Sequence, residues 1–205
     1  NLTALNVCEC AVNDHVVEKL AYALTRLQSL DITWPTQLST SGLEHLTGLA
    51  SLTELAVGGC YNLEAGWMKI LSRMPSLTKL HLHELDIDES FEGESASTDA
   101  QLASLGALPS LNFIDLSCNL GLSDTGLASL SKLTSLRDLD LACSFGSDMD
   151  CHLNGYGLSQ LGPVLAGLQR IDLSRCMQIT DAGLAGLASA SSLRWLLLNH
   201  CSQLS

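Results

Sequence analysis

Residues 168–192 read LQRIDLSRCMQITDAGLAGLASASS, and this stretch holds two different periodicities. In its first half, Ile171 and Leu173 alternate with polar residues, as a strand with one buried face requires. In its second half, Leu184, Leu187 and Ala190 fall three apart, as one face of a helix does. Between the halves, Thr180 or Asp181 is placed to accept orphan amide hydrogens at the helix start. Asp14 and Asp124 hold similar places further up the chain.

The same unit recurs from one end of the chain to the other. Its opening leucines are Leu2, Leu27, Leu52, Leu77, Leu111, Leu136, Leu168 and Leu193, spaced by 25, 25, 25, 34, 25, 32 and 25 residues. The two long spacings exceed 25 by 9 and 7, so each reads as a loop insertion. The first lies within DIDESFEGESASTD, residues 86–99, and the second within SFGSDMDCHLNGYG, residues 144–157. One such unit cannot bury its apolar side alone, so neighbours must stack. Strands pack about 4.8 Å apart and helices about 8–10 Å apart, so the stack bends with its strands inside. The expected fold is α/β: a solenoid of about eight repeats, a horseshoe arc with a concave parallel sheet and convex helices. It forms a single domain over residues 1–205, part of a longer chain. No polar capping repeat closes either end, so the chain is expected to continue or another subunit to cover it.

The pattern resembles the cysteine-containing leucine-rich-repeat family found among F-box ubiquitin-ligase receptors and other scaffolds. LxxLxLxxC and ITDAGL of residues 168–192 carry the resemblance, with LTELAVGGCYNLEAG, LNFIDLSCNLGLSDTGLASL and LRWLLLNHCSQLS. It implies protein binding, either as a scaffold or structural subunit or as the substrate-recognition arm of an F-box-type ubiquitin ligase. It also implies that Cys10, Cys60, Cys176 and Cys201, at the ninth position of their repeats, turn inward onto backbone groups, with Asn119 in the same role. Pro35 and Leu85 depart from the pattern at that position, and Leu49, Leu133 and Ala190 stand where the family often has a second cysteine. No F-box sequence lies within residues 1–205.

Buried ladder thiols, rather than a disulfide framework, point to the cytoplasm or another reducing intracellular compartment. Cys118 and Cys143 share the eighth position of adjacent repeats and fall within possible disulfide reach. Cys8 and Cys151 have no evident partner.

The formal net charge of −12 argues against nucleic acid, which calls for a basic stripe. No apolar run approaches the roughly 18 residues of a membrane span. There is no phosphate-binding loop, nucleophile elbow or triad context, so neither enzyme activity nor a cofactor is expected. The aspartates of the two insertions match no calcium-loop spacing.

Third, fifth and seventh positions should face solvent on the concave side. There Asp115, Asp140 and Asp172 form an acidic column, with Asp138 beside it. Like charges on neighbouring strands repel, so the column is either simply solvated or a docking strip for a basic protein surface. On the docking reading, reversing all three to Lys should abolish binding and spare the fold. Phe113 and Trp195 are aromatics at the same surface; Phe113 is free to pack on Arg137 or Lys79, and Trp195 to be covered by a further repeat. The insertions read either as tolerated surface loops or as a rim lip that grips a partner, with Phe91, Met149 and Tyr156 as its anchors. His81 and His83 face one way beside Asp115, but a His-x-His pair is too weak a signal to assign a metal.

Overall fold

The computed structural model describes residues 1–64, 66–85, 98–119, 121–143 and 152–205. Eight three-residue strands form one parallel sheet in chain order: β1 Ala4–Asn6, β2 Ser29–Asp31, β3 Glu54–Ala56, β4 Lys79–His81, β5 Phe113–Asp115, β6 Asp138–Asp140, β7 Arg170–Asp172 and β8 Trp195–Leu197. They pair without stagger, so each third, fourth and fifth residue faces its counterpart in the next repeat.

Three backbone ladders continue this pairing, and all run across every one of the seven junctions. The second-position carbonyl accepts two amides of the next repeat, as Arg137 O does from Gln169 and Arg170. The sixth-position amide donates to the next fifth-position carbonyl, and the eighth-position amide to the next seventh. The eighth residue is also where the chain turns. Glu9, Trp34, Gly59, Glu84, Cys118, Arg175 and His200 all adopt φ between 51° and 65°. That left-handed conformation costs a non-glycine residue about 1 kcal/mol, and from the first repeat to the seventh the ladder bond offsets it. Cys143, the eighth residue of repeat six, is not among them.

The fourth and sixth positions make the core. From Leu30 to Ile171 and from Ile32 to Leu173 these side chains are at most 2% exposed. In the first and eighth repeats, Leu2 is 46% and Leu196 40% exposed.

The helical side differs from the expected single α-helix per repeat. The longest helix is α1, Asp14–Ala23. Then come α2 Thr40–Leu46, α3 Met68–Leu71, α4 Thr98–Leu102, α5 Asp124–Ala128, α6 Tyr156–Gln160, α7 Pro163–Gly167 and α8 Asp181–Leu184. α4, α5 and α8 run directly into 3₁₀ turns at Ala103–Ala107, Ser129–Lys132 and Ala185–Ser189. The three-residue leucine spacing explains this. In an α-helix such a row drifts by about 60° per step, whereas in a 3₁₀-helix residues i and i+3 eclipse. Leu127, Leu130 and Leu133 thereby all stay buried, as do Leu102, Leu105 and Leu108.

Thr180, not Asp181, caps α8 by accepting from the Gly183 amide. The first-turn aspartates instead bind the next repeat. Asp14 accepts from the amide and hydroxyl of Ser39, Asp99 from Ser123 and Asp181 from Ser205. Asp124 accepts from the amides of Asn154 and Gly157. Negative charge at a helix start is favourable in itself, so each aspartate both ties repeats together and complements its helix.

Candidate functional site

The concave face is built from the outward rows of the sheet. Its third-position row reads Ala4, Ser29, Glu54, Lys79, Phe113, Asp138, Arg170 and Trp195: eight repeats, eight residue types. The inward fourth-position row behind it holds only Leu and Ile. The fold therefore constrains one row tightly and leaves the other open.

The fifth-position row is less free than the sequence suggests. Asp31, Asp115, Asp140 and Asp172 each accept the amide of the residue two further on, at 2.9–3.0 Å. These are Asx turns, and they shape the chain entering the left-handed corner. Asp172 is only 8% exposed and its second oxygen meets Arg170 at 3.1 Å. The acidic column is thus not a solvated stripe. Reversal to Lys would remove three turn acceptors as well as the charge.

Register brings Asp115, Asp140 and Asp172 side by side on β5, β6 and β7. The consequence shows at Asp140, whose pKa is raised. Burial is the largest cause, opposed by the Ala142 amide and assisted by the Asp115 and Asp172 charges, with Arg170 acting against them. Asp115 behaves oppositely. Burial pushes it up, but contacts with His81, His83 and Ser117 outweigh that and hold its carboxyl far below the usual range.

His81 and His83 approach one oxygen of Asp115 through their Nδ1 atoms, at 3.6 and 3.5 Å. Contact with Asp115 raises the His83 pKa against the effect of burial. The carboxylate stands 3.5 Å from His83 Nδ1, close enough for an ion pair. His81 also faces Glu54 at 3.6 Å, and Glu54 faces Lys79 at 3.7 Å. Among the described residues no group of three or more His, Cys, Asp or Glu is arranged to hold a metal ion.

Phe113 meets His81 with ring centroids 4.8 Å apart and the planes tilted by 45°, and it is the register partner of Lys79. Asp138 sits between Phe113 and Arg170 in the third row, and Trp195 ends that row at 56% exposure. Tyr156 is 67% exposed but opens α6, away from the strand rows. Phe91, Met149, Cys151 and the acidic residues 86–94, 148 and 150 lie outside the described residues.

A trough of about 490 Å³ lies over β1–β4, floored by Ala4 and Ala56 and edged by Asp31, Glu54, His81 and His83. Its side wall depends on a network the repeat pattern concealed. Trp34 Nε1 donates to Glu84 across 50 residues at 3.2 Å, and its ring meets the His83 edge. Both rings lie over repeat three, where glycines leave room. A Cβ on Gly58 would stand 2.7 Å from the His83 carbonyl oxygen, and one on Gly59 1.8 Å from the Trp34 ring. The glycine pair was the one signal available for this in the sequence.

The ninth-position side chains bond as expected, with one exception. Cys176 Sγ donates to Leu141 O at 3.3 Å and Cys201 Sγ to Leu173 O at 3.2 Å. Asn119 does more, donating to Leu82 O and Leu116 O and accepting from Leu85 N, all at 2.8 Å. Cys60 is buried, but Cys10 is exposed. Cys143 Sγ also meets a ninth-position thiol, Cys176 Sγ, at 3.7 Å.

No protein-family model and no curated protein sequence matches the chain. Among solved structures it is similar to an internalin from Listeria monocytogenes, at 20% identity and a TM-score of 0.53, covering 95% of this chain and 54% of that one. It is also similar to a chain of the Rad7 and Elc1 complex in yeast, at 20% identity and a TM-score of 0.57, covering 100% and 58%. The chain thus spans between half and three-fifths of these neighbours' lengths. With the single open sheet of eight parallel strands, they establish the fold as a leucine-rich-repeat solenoid. Among the described residues, no helix is long and apolar enough to cross a membrane.

Proposed function

We propose that this chain is a non-catalytic protein-recognition module, a subunit of a larger hetero-complex, whose concave face receives a partner with a basic surface. The observation that carries the reading is the contrast between the two strand rows. Inward residues are uniform, whereas the outward third-position row differs at every repeat. Phe113, Asp138 and Trp195 are the contact residues of that row, with Tyr156 and Phe91 as rim anchors. Asp115, Asp140 and Asp172 set the negative potential behind them. Aromatic and charged side chains on a rigid sheet supply anchors and steering without an enclosed reaction site. A reducing intracellular compartment suits the ladder thiols.

A second reading, the substrate-recognition arm of an F-box-type ubiquitin ligase, draws support from the shared fold with a chain solved in the Rad7 and Elc1 complex.

In-situ cross-linking with mass spectrometry tests the first reading. Lys79 lies in the concave row, whereas Lys69 and Lys132 lie on the helical side. Cross-links to a stoichiometric neighbour should concentrate on Lys79, and Asp138→Lys combined with Phe113→Ala should remove them. Links confined to Lys69 and Lys132 would place the partner on the convex side and overturn the proposal. Links from Lys79 to a changing set of substoichiometric proteins would favour the receptor reading.

A further inference from the structure

Cys143 is set apart from its counterparts twice over. The other seven eighth-position residues turn through positive φ, and Cys143 does not. Its thiol lies inward, 4.0 Å from Leu141 O and 3.7 Å from Cys176 Sγ. Closing that gap to a bonded S–S distance of about 2.05 Å takes a movement of about 1.7 Å, within the range of side-chain rotation. The two thiols also differ in access. Cys143 is half-buried, whereas Cys176 is fully buried against the Leu141 carbonyl.

We propose that Cys143 and Cys176 form an oxidisable dithiol, which a small disulfide such as oxidised glutathione converts to an intrachain disulfide fastening repeat six to repeat seven. The access difference sets the order of events. The Cys143 thiolate attacks one sulfur of oxidised glutathione, forming a mixed disulfide and releasing one glutathione thiolate. Cys176 then loses its proton, attacks Cys143 Sγ and releases the second glutathione. Two electrons pass from the protein thiols to the oxidant, and the two protons end on two glutathiones. In a reducing compartment the pair stays as thiols and Cys176 serves the ladder. As the glutathione pool becomes oxidised, Cys176 leaves the Leu141 carbonyl and a covalent tie takes its place. The tie closes a 33-residue span containing β7, α6, α7 and the second insertion.

The test equilibrates the full chain in glutathione buffers from fully reduced to fully oxidised, followed by alkylation, intact mass and peptide mapping. Oxidation should remove two hydrogen masses, join the Cys143 and Cys176 peptides, and raise the apparent Tm by about 5–10 °C. Cys176→Ala should stop at one glutathione on Cys143. Cys143→Ala, at a half-buried site, keeps the fold testable and should leave Cys176 unmodified in folded protein. Two results would overturn the proposal: Cys143 joined to Cys118 or Cys151 instead, or both thiols still open to alkylation after unfolding at every glutathione ratio.

Discussion

Replacing Asn119 by alanine removes a densely bonded ninth-position side chain. Three of its contacts are 2.8 Å long: two donated to the carbonyls of Leu82 and Leu116, one accepted from the amide of Leu85. The side chain is 8% exposed, so water does not readily replace what is lost. At about 1 kcal/mol per buried hydrogen bond, Asn119→Ala should cost about 3 kcal/mol. A chain of this size has a urea m-value of about 2–3 kcal/mol/M, so the midpoint should fall by about 1–1.5 M. The assay is urea unfolding followed by both far-ultraviolet circular dichroism and tryptophan fluorescence, whose coincidence licenses a single free energy. The repeats supply their own control. Two ninth-position cysteines, Cys176 and Cys201, donate an S–H to the sixth-position carbonyl of the preceding repeat, whereas Cys60 Sγ lies 3.9 Å from the Gly58 carbonyl of its own repeat. Asn119→Cys should therefore recover about a third of the loss, since it restores one contact of three. A cost below about 1 kcal/mol for alanine, or a cysteine variant no better than alanine, would refute the argument that these contacts join repeats four and five.

Three further outcomes follow from the concave face and its wall. Gly59→Ala places a Cβ on the Trp34 ring at a φ of +62°; it should cost about 2 kcal/mol or more and alter Trp34 fluorescence, and an unchanged spectrum would contradict the close packing. Asp140→Asn keeps an acceptor for the Ala142 amide while removing the charge between Asp115 and Asp172. Because the folded pKa of Asp140 is raised, its ionised form opposes folding at neutral pH. The variant should therefore gain about 0.5–1 kcal/mol at pH 7, a gain that fades as pH falls through the raised value; a loss at pH 7 would refute it. Asp115 and His83 give the opposite dependence. Asp115 is depressed below its ordinary 3.8, so its contribution is lost as pH falls below that value; His83 is raised above 6.5, so its contribution is complete below 6.5 and lost as pH rises past it. Thermal melts of wild type and Asp115→Asn should differ most between about pH 4 and 6.5, and a gap that stayed constant across the whole alkaline range would exclude His83 as the partner.

The repeat length, the strand rows and the core were legible in the sequence because each obeys a period that recurs in every unit. Leu30, Leu55, Leu80, Ile114, Leu139 and Ile171 answer one constraint, burial between two neighbours. The helical side was half legible. Leucines three apart were read as an α-helical face, though a step of three suits a 3₁₀ turn better. What escaped was whatever joins unequal positions of different repeats. The Trp34–Glu84 bridge spans two units, and it exists because Gly58 and Gly59 leave the unit between them bare. Cys143 reaches a ninth-position thiol because its own turn is unlike the other seven. The roles of the fifth-position aspartates were hidden for another reason: an Asx turn and a solvated carboxylate use the same residue type at the same spacing.

The unstaggered pairing of the strands also decides what shape of ligand can read the outward row. Successive third-position residues recur at the strand spacing, about 4.8 Å. An extended segment laid across the strands shows same-side residues every 6.7 Å or so, so the two scales behave as a vernier. Five ligand steps match about seven strand steps, and the two fall into phase only near the extremes, at Ala4 and Trp195. A helix repeats every 5.4 Å or so along its axis, about 0.6 Å from the strand spacing. It keeps nearly in step over three or four neighbouring repeats before slipping out of phase. The Lys79, Phe113, Asp138 and Arg170 segment of the row is therefore cut to the pitch of a helix, and an extended chain would engage it only at intervals.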